Sequence, residues 1–116
     1  MKKVIVTGAT GMIGASMIQQ MLADGIQVTA VCRPNSKKRK NLMNHNLLDI
    51  FECDINDLSK LSEQLPHDYD TFYHFAWDGT YGASRDDVML QEANVKNTLI
   101  AVETAHDLGC SVFVGA

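Results

Sequence analysis

Cysteine, proline and long apolar runs are all scarce in this chain, and each shortage narrows what it can be. Three cysteines, Cys32, Cys53 and Cys110, lie far apart among 116 residues. They form no Cys-x-x-Cys pair and have no histidine at zinc-ligand spacing, which excludes a disulfide scaffold and a zinc finger. An odd, sparse count is that of free thiols in a reducing compartment, so a cytoplasmic protein is expected. No stretch reaches the roughly 18 consecutive apolar residues of a membrane span. Met1-Lys2-Lys3 opens as a secretion signal does, but Val4-Ile5-Val6 runs directly into Thr7-Gly8, so the segment is a buried strand instead. Basic charge is also short: ten Lys and Arg stand against fourteen Asp and Glu, a net charge of −4. That removes the overall basic footprint of a nucleic-acid binder. Neither nucleic acid nor membrane is expected as a partner. With 46% hydrophobic and 21% charged residues, the chain has the balance of one soluble globular domain and not of a disordered segment.

What is present is alternation. Short apolar runs at Lys3–Thr7, Gln27–Cys32, Leu47–Cys53, Asp70–Trp77 and Ser111–Gly115 predict five strands. Helical periodicity fills the gaps. Ile13, Met17, Ile18, Met21 and Leu22 mark a helix over Met12–Ala23, with Gly25 as its stop. Leu58, Leu61 and Leu65 mark a second over Asp57–Leu65, with Asp57 as its cap. A long third helix is predicted from about Arg85 to Leu108, with Val88, Val95, Leu99 and Val102 as its buried stripe. Pro34–Asn46 reads as a basic loop with a short helix. Strands alternating with helices at this spacing imply right-handed crossovers and a parallel sheet. The expected fold is a doubly wound α/β domain, three layers deep, with strand order 3-2-1-4-5.

The first strand runs into Thr7-Gly8-Ala9-Thr10-Gly11-Met12-Ile13-Gly14 and then into a helix. In that setting each glycine has a reason: a tight turn at Gly8, close approach of a pyrophosphate at Gly11, and close helix–strand packing at Gly14. The helix would turn its free N–H groups and positive dipole end toward the phosphates. No Gly-Lys-Ser or Gly-Lys-Thr follows, which excludes an NTPase phosphate loop.

The glycine spacing, one residue wider in its first interval than the ordinary dinucleotide fingerprint, resembles that of extended short-chain dehydrogenase/reductases. Other segments are similar to that superfamily in the same order. Cys53-Asp54-Ile55 resembles its acidic pair after strand three, which implies that Asp54 meets the adenine. Tyr73-His74-Phe75-Ala76-Trp77 resembles its His-x-Ala-Ala end of strand four, beside the diphosphate and nicotinamide ribose. Asn94-Val95-Lys96-Asn97-Thr98 resembles Asn-Val-x-Gly-Thr on the long helix, with Asn94 reaching beneath strand four. Phe113-Val114-Gly115-Ala116 resembles the end of strand five. Two departures stand near the cofactor, Trp77 for a small residue and Asn97 for glycine. The resemblance implies the Rossmann-like, NAD(P)-binding part of a nucleotide-sugar epimerase, 4,6-dehydratase or 4-keto reductase. Its cofactor-binding residues would be Gly8, Thr10, Gly11, Met12, Ile13 and Gly14, then Arg33, Asp54 and Ile55, then Phe75, Ala76 and Trp77, and finally Asn94. No metal is expected.

An acidic residue at the end of strand two would hydrogen-bond the adenosine ribose and favour NAD. This strand ends Val31-Cys32-Arg33-Pro34 instead. A guanidinium there can pair bidentately with a 2′-phosphate, with Lys37 and Lys38 adding charge. NADP is therefore favoured over NAD, against the alternative of a merely solvated basic loop.

The superfamily's catalytic Tyr-x-x-x-Lys pair is missing. Tyr81-Gly82-Ala83-Ser84-Arg85 imitates its spacing but ends in arginine and precedes the long helix, so no catalytic residue is assigned. The stretch Asp78–Asp87 is instead a candidate substrate-facing loop or a plain surface turn. The chain stops at Ala116, just where the superfamily's catalytic Ser or Thr would follow. The expectation is therefore an N-terminal, catalytically incompetent part of a longer enzyme, with strand five as an exposed edge that promotes self-association. The competing reading is a non-catalytic NADP-binding module or redox sensor. His74 is expected as a packed core histidine, and His45, His67 and His106 as surface residues.

Overall fold

The computed structural model describes residues 2–77 and 86–115. Strands β1 (Lys3–Thr7), β2 (Gln27–Cys32), β3 (Leu48–Glu52), β4 (Thr71–His74) and β5 (Val112–Gly115) form one sheet of order β3-β2-β1-β4-β5. Every pairing is parallel. Helices α1 (Met12–Ala23), α2 (Leu61–Gln64) and α3 (Val88–Asp107) cover its faces, and short 3₁₀ segments occupy Lys37–Asn41 and Ile55–Lys60. This is the doubly wound, three-layer α/β arrangement that the strand–helix alternation predicts.

The pleat of β1 divides the core. Val4 and Val6 face α1 and pack with Ile18, Met21, Leu22, Val28 and Ala30. Ile5 faces the other way, toward Leu58, Leu61, Phe72, Ala101, Ala105 and Leu108. Successive strand residues point to opposite faces, so a strand covered on both sides must be apolar throughout. At the amino end of the sheet Asp70 ties two strands together. Its Oδ2 accepts the Lys2 and Lys3 backbone N–H groups at 2.7 and 2.8 Å, and its Oδ1 accepts the Thr71 hydroxyl at 2.8 Å.

Four expectations need correction. Strand β4 ends at His74 and not at Trp77, so Phe75–Trp77 leaves the sheet at its carboxyl edge. Strand β3 is shorter than the apolar run and half-exposed, as an edge strand is. The second helix begins as a 3₁₀ segment capped by Asp54, because Asp57 adopts φ −120° and breaks the helical path.

The fourth correction is the largest. Helix α3 buries Asn94, Asn97, Ala101, Thr104 and Ala105, whereas Val88, Val95, Leu99 and Val102 lie outward, Leu99 at 63% exposed. Alanine and hydroxyl side chains let this long helix approach the sheet closely. Its buried polar groups are paired: Thr104 Oγ1 donates to the Ile100 carbonyl at 2.8 Å, and Asn97 Nδ2 to Asn56 Oδ1 at 3.2 Å. The start of α3 is set by Asp87, whose Oδ1 accepts the Leu90 N–H at 3.2 Å. The predicted start at Arg85 lies outside the described residues.

Candidate functional site

Parallel strands deliver their carboxyl ends to one edge, and β1 and β4, where crossovers part to opposite sides, leave a crevice there. A cleft of about 490 Å³ fills it. One wall is Thr7, Gly8 and Thr10–Gly14; the second is Val31, Cys32, Arg33 and Lys38; the floor and far wall are Cys53, Ile55, Leu58 and Phe75–Trp77.

The glycine turn is shaped by what a side chain would strike. Gly8 has φ +66°, and a Cβ there would lie 2.5 Å from the Phe75 carbonyl carbon. At Gly14 a Cβ would lie 2.4 Å from the Gly8 carbonyl oxygen, so α1 starts this close to the turn only without one. Gly11 is different. Its φ is −71°, and the nearest atom to an added Cβ is 3.4 Å away. The protein itself does not demand glycine at that position, which leaves the open space above its backbone as the reason.

Helix α1 begins at this point with Gly11 as its N-cap, no side-chain cap and no acidic residue in its first turn. First-turn N–H groups have no acceptor within a helix. They are therefore left to water or to an anionic ligand, favoured there by the helix dipole. The exposed Met12 and Ile13 side chains flank them.

The charged residues lining the cleft, among those described, are Arg33 and Lys38; no Asp or Glu lines it. The Arg33–Ser36 turn, with Asn35 at φ +60°, leads into the 3₁₀ segment that carries Lys38. Ser36 Oγ accepts the Lys38 N–H at 3.3 Å, and Asn41 Nδ2 donates to the Thr10 carbonyl at 3.0 Å, tying the basic loop to the glycine turn. Arg39 is engaged elsewhere, 2.8 Å from Glu52. Burial pushes both the Cys32 and Cys53 thiols up from their ordinary range, so each lines the cleft as a neutral group. Among the described residues no cluster of His, Cys, Asp or Glu could hold a metal. None of the described helices is long and apolar enough to cross a membrane.

Of the residues singled out from sequence, Gly8, Thr10, Gly11, Met12, Ile13, Gly14, Arg33, Ile55, Phe75, Ala76 and Trp77 all line this cleft. Two do not. Asp54 Oδ1 caps the following turn, accepting Asn56 N at 2.9 Å and Asn56 Nδ2 at 3.1 Å. Asn94 is buried on α3, where its Nδ2 donates to Gln91 Oε1 at 3.1 Å. Tyr81, Ser84 and Arg85 lie outside the described residues. Sequence reasoning missed Thr7, Val31, Cys32, Cys53 and Leu58 as lining residues. The first four sit at or next to a strand's carboxyl end, and that position is the signal that marks them; Leu58 reaches the cleft from the 3₁₀ segment after β3.

The model of the NAD dependent epimerase/dehydratase family matches residues 4–116. The chain belongs to that family. A search of curated protein sequences finds no match. Among solved structures, this family member resembles the Bordetella bronchiseptica enzyme WbmF in complex with NAD+, with TM-score 0.81 and 26% identity over 98% of the chain and 35% of WbmF. A UDP-galactose 4-epimerase superimposes with TM-score 0.80 at 22% identity, over 97% of the chain and 37% of the enzyme. The UDP-glucose 4-epimerase of Thermotoga maritima, solved with UDP-glucose, gives TM-score 0.73 at 20% identity over 97% and 37%. At such identities the two epimerases share the fold. The chain thus spans just over a third of the length of each of these three proteins.

Proposed function

We propose that the cleft binds NAD(P), and that the chain is the dinucleotide-binding part of a longer enzyme acting on a nucleotide-sugar. One observation carries the reading: the uncapped start of α1 at Gly11 opens into a cleft whose charged lining is cationic. A pyrophosphate fits that lining, since N–H groups and a dipole end favour its charge and the missing Cβ at Gly11 leaves it room. WbmF holds NAD+ in a structure of the same fold, and the Thermotoga epimerase holds UDP-glucose, which supports both halves of the proposal. The bound nicotinamide would supply reversible hydride transfer at a sugar carbon, the chemistry of epimerases, dehydratases and 4-keto reductases. The residues of this chain bind and orient; the acid/base pair is not among them, so the chain alone is catalytically incompetent.

NADP is favoured over NAD. Arg33 lines the cleft at the end of β2, where a carboxylate would favour NAD, and Lys38 stands in the same wall. Trp77 is the only tryptophan and lines the cleft, so its fluorescence reports occupancy directly. Titration should show saturable quenching by NADP+ and NAD+, with NADP+ tighter, and Arg33→Glu should erase the preference. No quenching and no heat of binding from either nucleotide overturns the cleft reading, and an unchanged affinity ratio in Arg33→Glu overturns the NADP assignment alone. A non-catalytic NADP-binding module would show the same titration. The intact mass of the protein from its native host separates the two, since the longer enzyme should be well over twice 12.8 kDa.

A further inference from the structure

Thr7 and His74 close β1 and β4 as register partners. Thr7 Oγ1 lies 2.7 Å from His74 Nδ1, and each residue is 1% exposed. The same oxygen accepts the Ala76 N–H at 3.3 Å, while the Thr7 carbonyl accepts the Phe75 N–H at 3.2 Å. Thr7 thus holds the first two N–H groups of the segment that leaves β4. That segment's Phe75–Ala76 peptide is the surface against which Gly8 rests, and Phe75 and Ala76 line the cleft.

The protons can be counted. If the Thr7 hydroxyl donates to Nδ1, the neutral ring carries its proton on Nε2, and one buried polar group is left without a partner. If instead Nδ1–H donates to Oγ1, the hydroxyl proton and the Nε2 lone pair are both left over. Among the described residues the hydroxyl proton has no other partner, and Nε2 has none. Two buried unpaired groups cost more than one, so the hydroxyl is the donor and Nδ1 the acceptor. Burial keeps the ring neutral, holding its pKa down at about 4. A leucine would fill this space without the unpaired Nε2 but would leave the buried Thr7 hydroxyl proton with no acceptor, so the hydrogen bond and not packing is what histidine supplies here.

We infer that His74 is a positioning residue: it accepts the Thr7 hydroxyl proton, which aims the oxygen's lone pair at Ala76 N–H and fixes the Phe75–Ala76 wall of the cleft. Its consequence for binding rests on the dinucleotide reading above.

The test compares His74→Asn, which keeps an acceptor near the Nδ1 position, with His74→Leu, which does not. Thr7→Ser and Thr7→Val make the same comparison from the other side. NADP+ and NAD+ affinities come from Trp77 fluorescence, beside thermal midpoints. His74→Leu and Thr7→Val should weaken binding about tenfold, the worth of one buried hydrogen bond, with Asn and Ser restoring it to within about threefold. A mere packing role predicts affinities that follow the thermal midpoints instead. The ring nitrogen shifts of His74 in the nucleotide-free native chain need no variant to fold, and should show a proton on Nε2 and a hydrogen-bonded, unprotonated Nδ1. A protonated Nδ1, or native affinity in His74→Leu, overturns the inference. If the native chain binds no dinucleotide, the cleft reading falls, and the ring shifts still decide whether His74 is the acceptor.

Discussion

Single methyl groups separate the roles of the three loop glycines. Gly8→Ala forces a side chain into φ +66° and onto the Phe75 carbonyl carbon, and Gly14→Ala drives one into the Gly8 carbonyl oxygen. Each should cost on the order of 2 kcal/mol or more in urea unfolding. Gly11→Ala meets only an ordinary contact, so its cost should stay within about 1 kcal/mol, the loss at an N-cap. Its dinucleotide affinity should nevertheless fall at least about tenfold, because the methyl occupies the space for phosphate. Normal binding by a folded Gly11→Ala variant would show that phosphate does not approach there. His74 sets a second prediction at this scale. Its folded pKa of about 4 lies below the ordinary value of 6.5. Between those values the unfolded chain takes up a proton that the folded chain refuses, so stability rises with pH, by up to about 1.4 kcal/mol per unit, and levels off above about pH 7. Asp70 acts in the same direction at lower pH. Burial works against its charge, but the N–H groups of Lys3 and Lys2 and the Thr71 hydroxyl hold its carboxyl below the usual range. Its contribution is therefore lost as pH falls through that lowered value. Urea midpoints at about pH 5 and about pH 7 should differ in the native protein and differ less in His74→Leu; equal differences would remove His74 as the cause.

Helix α3 shows where reading by element succeeds and where it fails. β1, the glycine turn and α1 were legible because their signals are local: a β-branched run, a glycine at each crowded point, a period near 3.6. α3 was legible in its extent but not in its orientation. Hydrophobic periodicity assumes that valine and leucine face the core, and here the sheet instead receives Ala101, Thr104, Ala105, Asn94 and Asn97. Polar groups that find a partner can be buried, and the partners are set by tertiary contacts such as Asn97 with Asn56, 41 residues apart in sequence. The same holds at the site. The loop segments were legible, while Thr7 was not, because its role depends on His74 across the sheet. The orientation of α3 has a measurable consequence. Leu99→Gln should change folding stability by no more than about 0.5 kcal/mol, as exposed substitutions do. Ala101→Leu, into a fully buried position, should cost about 1–3 kcal/mol by overpacking. The reverse order in urea midpoints would mean that α3 is rotated about its axis.

Across the whole molecule the two faces of the sheet are unequally covered. On the side of α2 and α3, Phe113 of β5 stacks on Phe72 at 5.5 Å between ring centroids. Val112 and Val114 point to the opposite face, where α1 packs on β1 and β2 and no described helix reaches β5. Val112 is 49% exposed, and β5 pairs only with β4, so its outer backbone edge has no partner among the described residues. An unpaired edge beside uncovered valines is a template for another chain. The net charge of −4 is modest opposition to such contact. The 116-residue chain should therefore self-associate, its sedimentation coefficient rising with concentration, with β5 at the contact. Val114→Lys places a charge on that face without touching the core and should shift the distribution toward monomer while leaving NADP+ affinity unchanged. Salt should then favour association of the lysine variant by screening its charge. A native chain that sediments as one monomeric species at high concentration would mean that the described edge and valines are tolerated in water, and the self-association proposal would fail.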